Sequence, residues 1–202
     1  MKGATIEPFQ TRDRDIVLEV LAEAYRVDPW SQVWFDGCGP DIHLAWWSFV
    51  LTHSCGGTQR VVVRDGSVVG FAHWQESPAC QPSAEKARGL RPALLSALGG
   101  EALSRMAPFL ALFRRRDPEV PHIHFGPFAV HPTLHGTGLG RGLIELYCEQ
   151  LDRVSGIGYL ETSKPENVRF YLRSGFEVAC EEDIHGVRAW FMLRPRRTDG
   201  AA

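Results

Sequence analysis

Phe128-Ala129-Val130-His131-Pro132-Thr133-Leu134-His135-Gly136-Thr137-Gly138-Leu139-Gly140-Arg141-Gly142 carries a β-type segment into a glycine-rich turn and then into a helix. That helix continues Leu143-Ile144-Glu145-Leu146-Tyr147-Cys148-Glu149-Gln150-Leu151, apolar at helical spacing and free of proline. Gly136, Gly138, Gly140 and Gly142 remove the Cβ atoms that would keep a ligand away from the backbone. Behind them, the first N–H groups of the helix lack partners and sit at the positive end of its dipole. Such a terminus binds phosphate or pyrophosphate, so the stretch predicts a phosphorylated ligand.

What the loop lacks narrows that ligand. A nucleotide P-loop closes on Gly-Lys-Ser/Thr, whereas Gly140 is followed by Arg141-Gly142. A dinucleotide fingerprint, Gly-x-Gly-x-x-Gly with an acidic residue about 20 positions on, half-fits. Gly138 and Gly140 match it and Glu161 lies at the acidic position, but Leu143 replaces the third glycine. Such a fingerprint also opens a βαβ domain, and this loop comes late in the chain.

His131-Pro132-x-x-His135-Gly136-x-Gly138-x-Gly140 resembles motif A of the GNAT (Gcn5-related) N-acetyltransferases, whose loop reads Gln/Arg-x-x-Gly-x-Gly/Ala. Asn167-Val168-Arg169-Phe170-Tyr171-Leu172-Arg173-Ser174-Gly175-Phe176 resembles that family's motif B, in the family's order and spacing. The tail looks like the puromycin N-acetyltransferase branch through Leu160-Glu161-Thr162-Ser163, Pro165, Asn167, Phe170-Tyr171, Gly175-Phe176, Trp190 and Met192. The likeness runs from about His124 to Arg194, and His135 stands where the family has Gln or Arg. It implies an α/β (α+β) fold: a mixed, mostly antiparallel, splayed sheet flanked by helices. It further implies one acetyltransferase domain over residues 1–202, with an acetyl-CoA core at about 122–194.

By the same resemblance acetyl-CoA is the co-substrate, and its acetyl group passes directly to a small primary amine without an acyl-enzyme. The rival activities are acetylation of a protein N-terminus or lysine, and acyl-CoA binding without catalysis. His135, Gly136, Thr137, Gly138, Leu139, Gly140 and Arg141 would hold the pyrophosphate. Pro127 belongs at a bulge or an open ladder within a strand. In the family this strand splays where pantetheine enters, so Phe128, Ala129 and Val130 would offer it backbone contacts. Asn167 and Tyr171, four apart on one helix face, would meet pantetheine and the coenzyme sulfur, with Tyr171 as general acid.

Acetyl transfer also needs a proton acceptor for the amine. His122 and His124 lie two apart on one strand face, and an imidazole titrates in the right range. His124 is the expected base, with His122, Glu161, Glu76 or ordered water as alternatives. Tyr25, Trp30, Trp34, Phe35, Trp46, Trp47, Phe49 and Trp74 cluster in the N-terminal part, and 6 tryptophans in 202 residues is high. Aromatic walls suit flat or cationic amines, so Trp30, Trp34 and Trp74, together with Glu161, are candidate substrate contacts.

Composition agrees. The chain is 44% hydrophobic and 23% charged, ordinary values for a globular domain, with a formal net charge of −2. That balance offers no attraction to nucleic acid or an anionic membrane. Cys38, Cys55, Cys80, Cys148 and Cys180 are odd in number and never spaced as Cys-x-x-Cys. They read as reduced thiols of a cytoplasmic protein, not as a disulfide frame or a zinc site, and no metal is expected. The start, Met1-Lys2-Gly3-Ala4-Thr5-Ile6, turns polar at once, and no apolar run reaches the roughly 18 residues a membrane span needs. The reading is a soluble monomer or homodimer.

Local signals place the elements. A first strand covers Ala4–Pro8, then a helix capped by Thr11 or Asp13 presents Ile16, Val17, Val20, Leu21 and Ala24 and ends near Asp28-Pro29. A second helix spans Ile42 to Thr52. A hairpin turns at Asp65-Gly66 between 59–64 and 67–74. Residues 83–116, broken by Pro and Gly, read as two or three short helices. Strands at 122–130, 159–162, 176–184 and 187–193 and a helix at Asn167 complete the set.

Overall fold

The computed structural model describes residues 3–54 and 56–197; Met1, Lys2 and Cys55, read above, lie outside them. Seven strands form one sheet: β1 (Ala4–Pro8), β2 (Thr58–Arg64), β3 (Ser67–Glu76), β4 (Ile123–Val130), β5 (Gly158–Thr162), β6 (Glu177–Ile184) and β7 (Val187–Arg194). Their order is β1-β2-β3-β4-β5-β7-β6. Every neighbouring pair is antiparallel except β4 and β5. Asp65 and Gly66 make the β2–β3 turn with φ of 52° and 79°, the pair of positive angles that a two-residue hairpin requires.

Six helices cover the sheet: α1 (Arg14–Tyr25), α2 (Pro29–Trp34), α3 (Ile42–His53), α4 (Ala84–Arg116), α5 (Leu139–Arg153) and α6 (Pro165–Leu172). One sheet face buries Leu143, Ile144, Tyr147 and Leu151 of α5 and Tyr171 of α6 against Ala72, Trp74, Phe125 and Met192. The opposite face is shared. Val17, Val20 and Leu21 of α1 and Trp47 of α3 pack on Phe71 and Ala129, while Ile16 stays exposed. Trp30 and Trp34 of α2 and Met106 and Phe109 of α4 pack on Tyr159 and Phe191.

One element differs from expectation and another refines it. Asp28-Pro29 ends α1 and also starts the six-residue α2: the Asp28 carboxylate accepts from Trp30 N–H at 3.0 Å, and Pro29 occupies the first helical position. Residues 84–116 are two helical segments that meet at a kink at Gly99, φ 78° and ψ 164°, within the two or three helices that the Pro and Gly residues predict. Pro92 and Pro108 lie inside these segments without ending them. Around Pro108, burial of Ala102, Leu103, Met106, Phe109 and Leu112 offsets the local cost of the proline.

The centre of the sheet opens. β4 pairs with β5 only through Ile123↔Gly158 and His124↔Tyr159. On its other edge, Trp74 opposes Phe125 and Ala72 opposes Phe128, so Gly126 and Pro127 form a bulge against His73. The bulge reverses the strand's alternation, which lets Phe125, Phe128 and Val130 all pack toward the α5 side. Beyond His124, β4 runs free of β5 along the glycine-rich loop.

Candidate active site

The loop residue Gly138 sits at φ 85° and immediately precedes α5, a 15-residue helix. Only glycine adopts that angle without strain, and it turns the chain so that the first helical N–H groups face outward from the loop. A cavity of about 910 Å³ opens there, lined by Phe128, Ala129 and Val130, by His135, Gly136, Gly138, Leu139, Gly140 and Arg141, and by Asn167 and Tyr171. Eleven of the twelve residues read from the sequence as coenzyme contacts therefore share one cavity. Thr137 does not line it; its hydroxyl donates to Leu134 O at 2.7 Å and tightens the turn. The His135 ring is structural in kind, because Nε2 donates to Val130 O at 3.0 Å and ties the loop to the strand end. Arg141 is largely exposed and pairs with Glu145 at 2.6 Å.

A second cavity, of about 890 Å³, lies on the α1–α4 side of the sheet. Trp30, Trp34, Trp46, Trp47, Phe49 and Leu94 form much of its wall. The two cavities meet: Tyr25, Asp28, Trp30, Phe128, Glu161 and Tyr171 line both. Trp74 corrects the sequence reading. It is 2% exposed, packs against Phe125 and Tyr147, and donates from Nε1 to Gln150 at 2.9 Å on the α5 side. Strand side chains alternate, so β3 presents His73 and Gln75 to the second cavity instead.

At the junction, Tyr171 is 5% exposed, with its ring against Phe170 and Phe176 at 5.2 and 5.8 Å. Burial, and the nearby Tyr25 and Glu161, push its phenol above the usual range, so it stays protonated. Asn167 Nδ2 donates to Thr162 Oγ1 at 3.1 Å. Tyr25 went unranked at the sequence level. Its hydroxyl donates to Phe128 O at 3.2 Å and accepts from Phe128 N–H at 3.4 Å, at the point where β4 leaves its neighbours.

The proposed base also has a partner. His124 Nε2 lies 2.9 Å from Glu161 Oε2, and both side chains are about one-seventh exposed, at 14% and 15%. The contact is an ion pair without an aligned hydrogen bond, since that oxygen has no donor in good geometry among the described residues. Burial opposes the charged ring, but the Glu161 carboxylate and the Cys80 sulfur more than offset it and lift His124 to about 10. His124 is thus an imidazolium at neutral pH, not the free imidazole a base requires; the sequence placed it correctly but could not reveal its partner. His122 is buried and lines neither cavity, and Glu76 is exposed at the end of β3.

A second carboxylate escaped sequence reasoning. Asp28 is 6% exposed and accepts from Ser163 Oγ at 2.8 Å, with Lys164 Nζ at 3.9 Å. Burial pushes its pKa up from the usual carboxylate value, against the pull of Ser163 and Lys164. The cap signal Asp-Pro was legible; its approach to Ser163, 135 positions away, was not.

Comparison with known proteins agrees with this geometry. The acetyltransferase (GNAT) family profile matches residues 19–176. Among solved structures, an acetyltransferase related to histone acetyltransferase HPA2 from Corynebacterium glutamicum ATCC 13032 superposes with a TM-score of 0.74 at 22% identity, over 98% of this chain and 99% of that one. Arylalkylamine N-acetyltransferase 2 from Aedes aegypti gives 0.65 at 16% identity, over 96% and 99%. The acetyltransferase yncA from Salmonella typhimurium, solved with acetyl-CoA, gives 0.58 at 17% identity, over 100% and 98%. Identities this low speak for the fold, whereas the family profile covers well over half the chain. The chain belongs to the GNAT acetyltransferase family and takes acetyl-CoA as its acyl donor.

Proposed function

We propose that the protein N-acetylates a small primary amine with an apolar or aromatic body, as one catalytic domain whose coenzyme core spans about 122–194. The observation that carries this reading is the meeting of two cavities at Glu161, Asp28 and Tyr171, one beside a glycine-rich helix start and the other walled by aromatics. Acetyl-CoA lies in the first cavity, pyrophosphate on the α5 terminus and pantetheine along Phe128, Ala129, Val130 and Asn167. The amine occupies the second, its cationic form drawn to the two carboxylates and its body held against Trp30, Trp34 and Trp46.

Glu161 faces both cavities and takes the amine proton, directly or through one water; His124 positions that carboxylate by ion pairing. The neutral nitrogen then attacks the thioester carbonyl carbon, and the C–N bond forms as a tetrahedral oxyanion. On collapse the C–S bond breaks, and the Tyr171 hydroxyl protonates the departing coenzyme sulfur. The excess proton on the new amide nitrogen passes through water to the Tyr171 phenolate, and Glu161 releases the first proton to solvent. Proton and acyl group are both accounted for without an acyl-enzyme. The likeness of the tail to the puromycin N-acetyltransferase branch supports an aminonucleoside-type acceptor within this class.

The test is a panel of amines scored by coenzyme-thiol release: aminonucleosides, arylalkylamines, aminoglycosides and peptides. The expected outcome is turnover with compact aromatic amines. Turnover confined to peptides would replace this reading with protein acetylation, and saturable acetyl-CoA binding without thiol release from any amine would indicate a binding domain.

A further inference from the structure

Outside the transfer site, three side chains from separate segments converge. Cys80 lies in the turn after β3, Asp117 ends α4, and His122 stands just ahead of β4. His122 Nε2 is 3.6 Å from Cys80 Sγ and 3.5 Å from Asp117 Oδ1. All three donor atoms lie within 4.8 Å of one another. The contact to Asp117 is beyond ordinary hydrogen-bond length. The two separations from His122 Nε2 fall in the range of the edges of a metal polyhedron. With Zn–S about 2.3 Å and Zn–N or Zn–O about 2.0–2.2 Å, tetrahedral neighbours stand roughly 3.3–3.6 Å apart.

The other ring nitrogen of His122 supplies a second, independent observation. Nδ1 lies 2.9 Å from the Val120 carbonyl, which only accepts, so Nδ1 carries a proton. With no cation bound, the ring's Nε2–H faces the Asp117 carboxylate and the Cys80 sulfur, and a cation would take the place of that proton among the same three atoms. A backbone carbonyl on the remote nitrogen is the usual support of a metal-bound histidine. The surroundings are also braced. Ser77 N–H donates to His122 O at 2.9 Å and His122 N–H donates to Ser77 Oγ at 3.0 Å, while Gln81 Nε2 donates to Asp117 Oδ1 at 3.4 Å.

We propose that Cys80, Asp117 and His122 bind one divalent cation of the zinc class. A thiolate and a carboxylate neutralise its two charges, and the sulfur selects a borderline cation over magnesium or calcium. Binding releases to solvent the proton on His122 Nε2 and that of the Cys80 thiol. Three protein ligands leave the fourth tetrahedral position to water or to a donor atom of a ligand. His124 also approaches Cys80 but is committed to Glu161 and stays outside the set. Because Cys80 lines the amine-side cavity, the cation ties the end of α4 and the turn after β3 to the sheet at that cavity's edge.

The experiment is a titration of the whole, chelator-stripped protein with Co²⁺, followed by absorption. The expected result is saturation at one equivalent with intense visible d–d bands and a near-ultraviolet sulfur-to-cobalt charge-transfer band, both removed by added Zn²⁺. Cys80→Ser should lose the charge-transfer band, and Asp117→Asn should keep it with weaker cobalt affinity. The rise in melting temperature with acetyl-CoA checks that each variant is folded. A flat titration of the unmodified protein, a charge-transfer band surviving in Cys80→Ser, or unchanged cobalt affinity in Asp117→Asn would overturn the assignment.

Discussion

Replacing Tyr171 by phenylalanine isolates one hydroxyl at the meeting point of the cavities. The ring is 5% exposed and stays packed against Phe170 and Phe176, and among the described residues nothing hydrogen-bonds the hydroxyl. Removing it breaks no internal hydrogen bond and leaves no partner stranded, so the change in stability should stay within about 0.5 kcal/mol. Acetyl-CoA affinity should also hold, because the pyrophosphate and pantetheine contacts come from the loop and from β4. The loss belongs to the chemical step. A positioned general acid contributes about 10²–10⁴ in rate, and water entering a cavity of this size can replace part of it. A loss of at least about tenfold is therefore expected, or about 1.4 kcal/mol of barrier. Single-turnover thiol release with a saturating aromatic amine reads the step directly, with thermal melting and coenzyme titration as controls. Unmodified single-turnover rates in Tyr171→Phe, with coenzyme bound normally, would show that the phenol is only a packing group.

Acetyl-CoA at about 100-fold over its dissociation constant should stabilise the fold by roughly 2.7 kcal/mol, read as a rise in melting temperature that NAD does not produce. Gly140→Val should abolish that rise, since a Cβ there meets Phe128 Cζ at 3.1 Å and its branches crowd the loop where phosphate is expected. Glu161→Gln should lower turnover by about 10²–10⁴ while coenzyme binding persists, measured by steady-state thiol release; near-normal turnover would pass the proton to ordered water. Trp46→Ala should raise KM for aromatic amines with little change for small aliphatic ones, because Trp46 stacks with Phe49 at 6.3 Å along the amine-side wall. Asp152 accepts from Arg194 at 2.7 and 3.1 Å, which holds its carboxyl below the usual 3.8. Its folded value is the lower one, so its contribution to stability is complete above about pH 4 and fades as pH falls through the folded value. Acid unfolding of Asp152→Asn should accordingly show a smaller loss of stability over that interval than the unmodified protein.

Local chemistry along the chain was enough to determine the Asp65-Gly66 hairpin, the glycine turn into α5, and the Asn167–Tyr171 pair on one helix face. Each is decided by a few adjacent backbone angles or by helical repeat, and neighbours in sequence report on both. The same holds for the opening of β4, because a proline inside a central strand marks a break in its ladder. Local rules failed where burial overrode them. Pro108 remains inside α4, and Trp74 turns away from the amine side because strand parity was fixed by packing on α5. The ion pair of His124 with Glu161, the Asp28–Ser163 contact and the Cys80–Asp117–His122 cluster were settled only by strand order and helix docking. Cysteine spacing could not register this cluster for the same reason. Spacing registers ligands carried by one short segment, whereas sheet register and helix packing bring together donors 37 and 42 positions from Cys80.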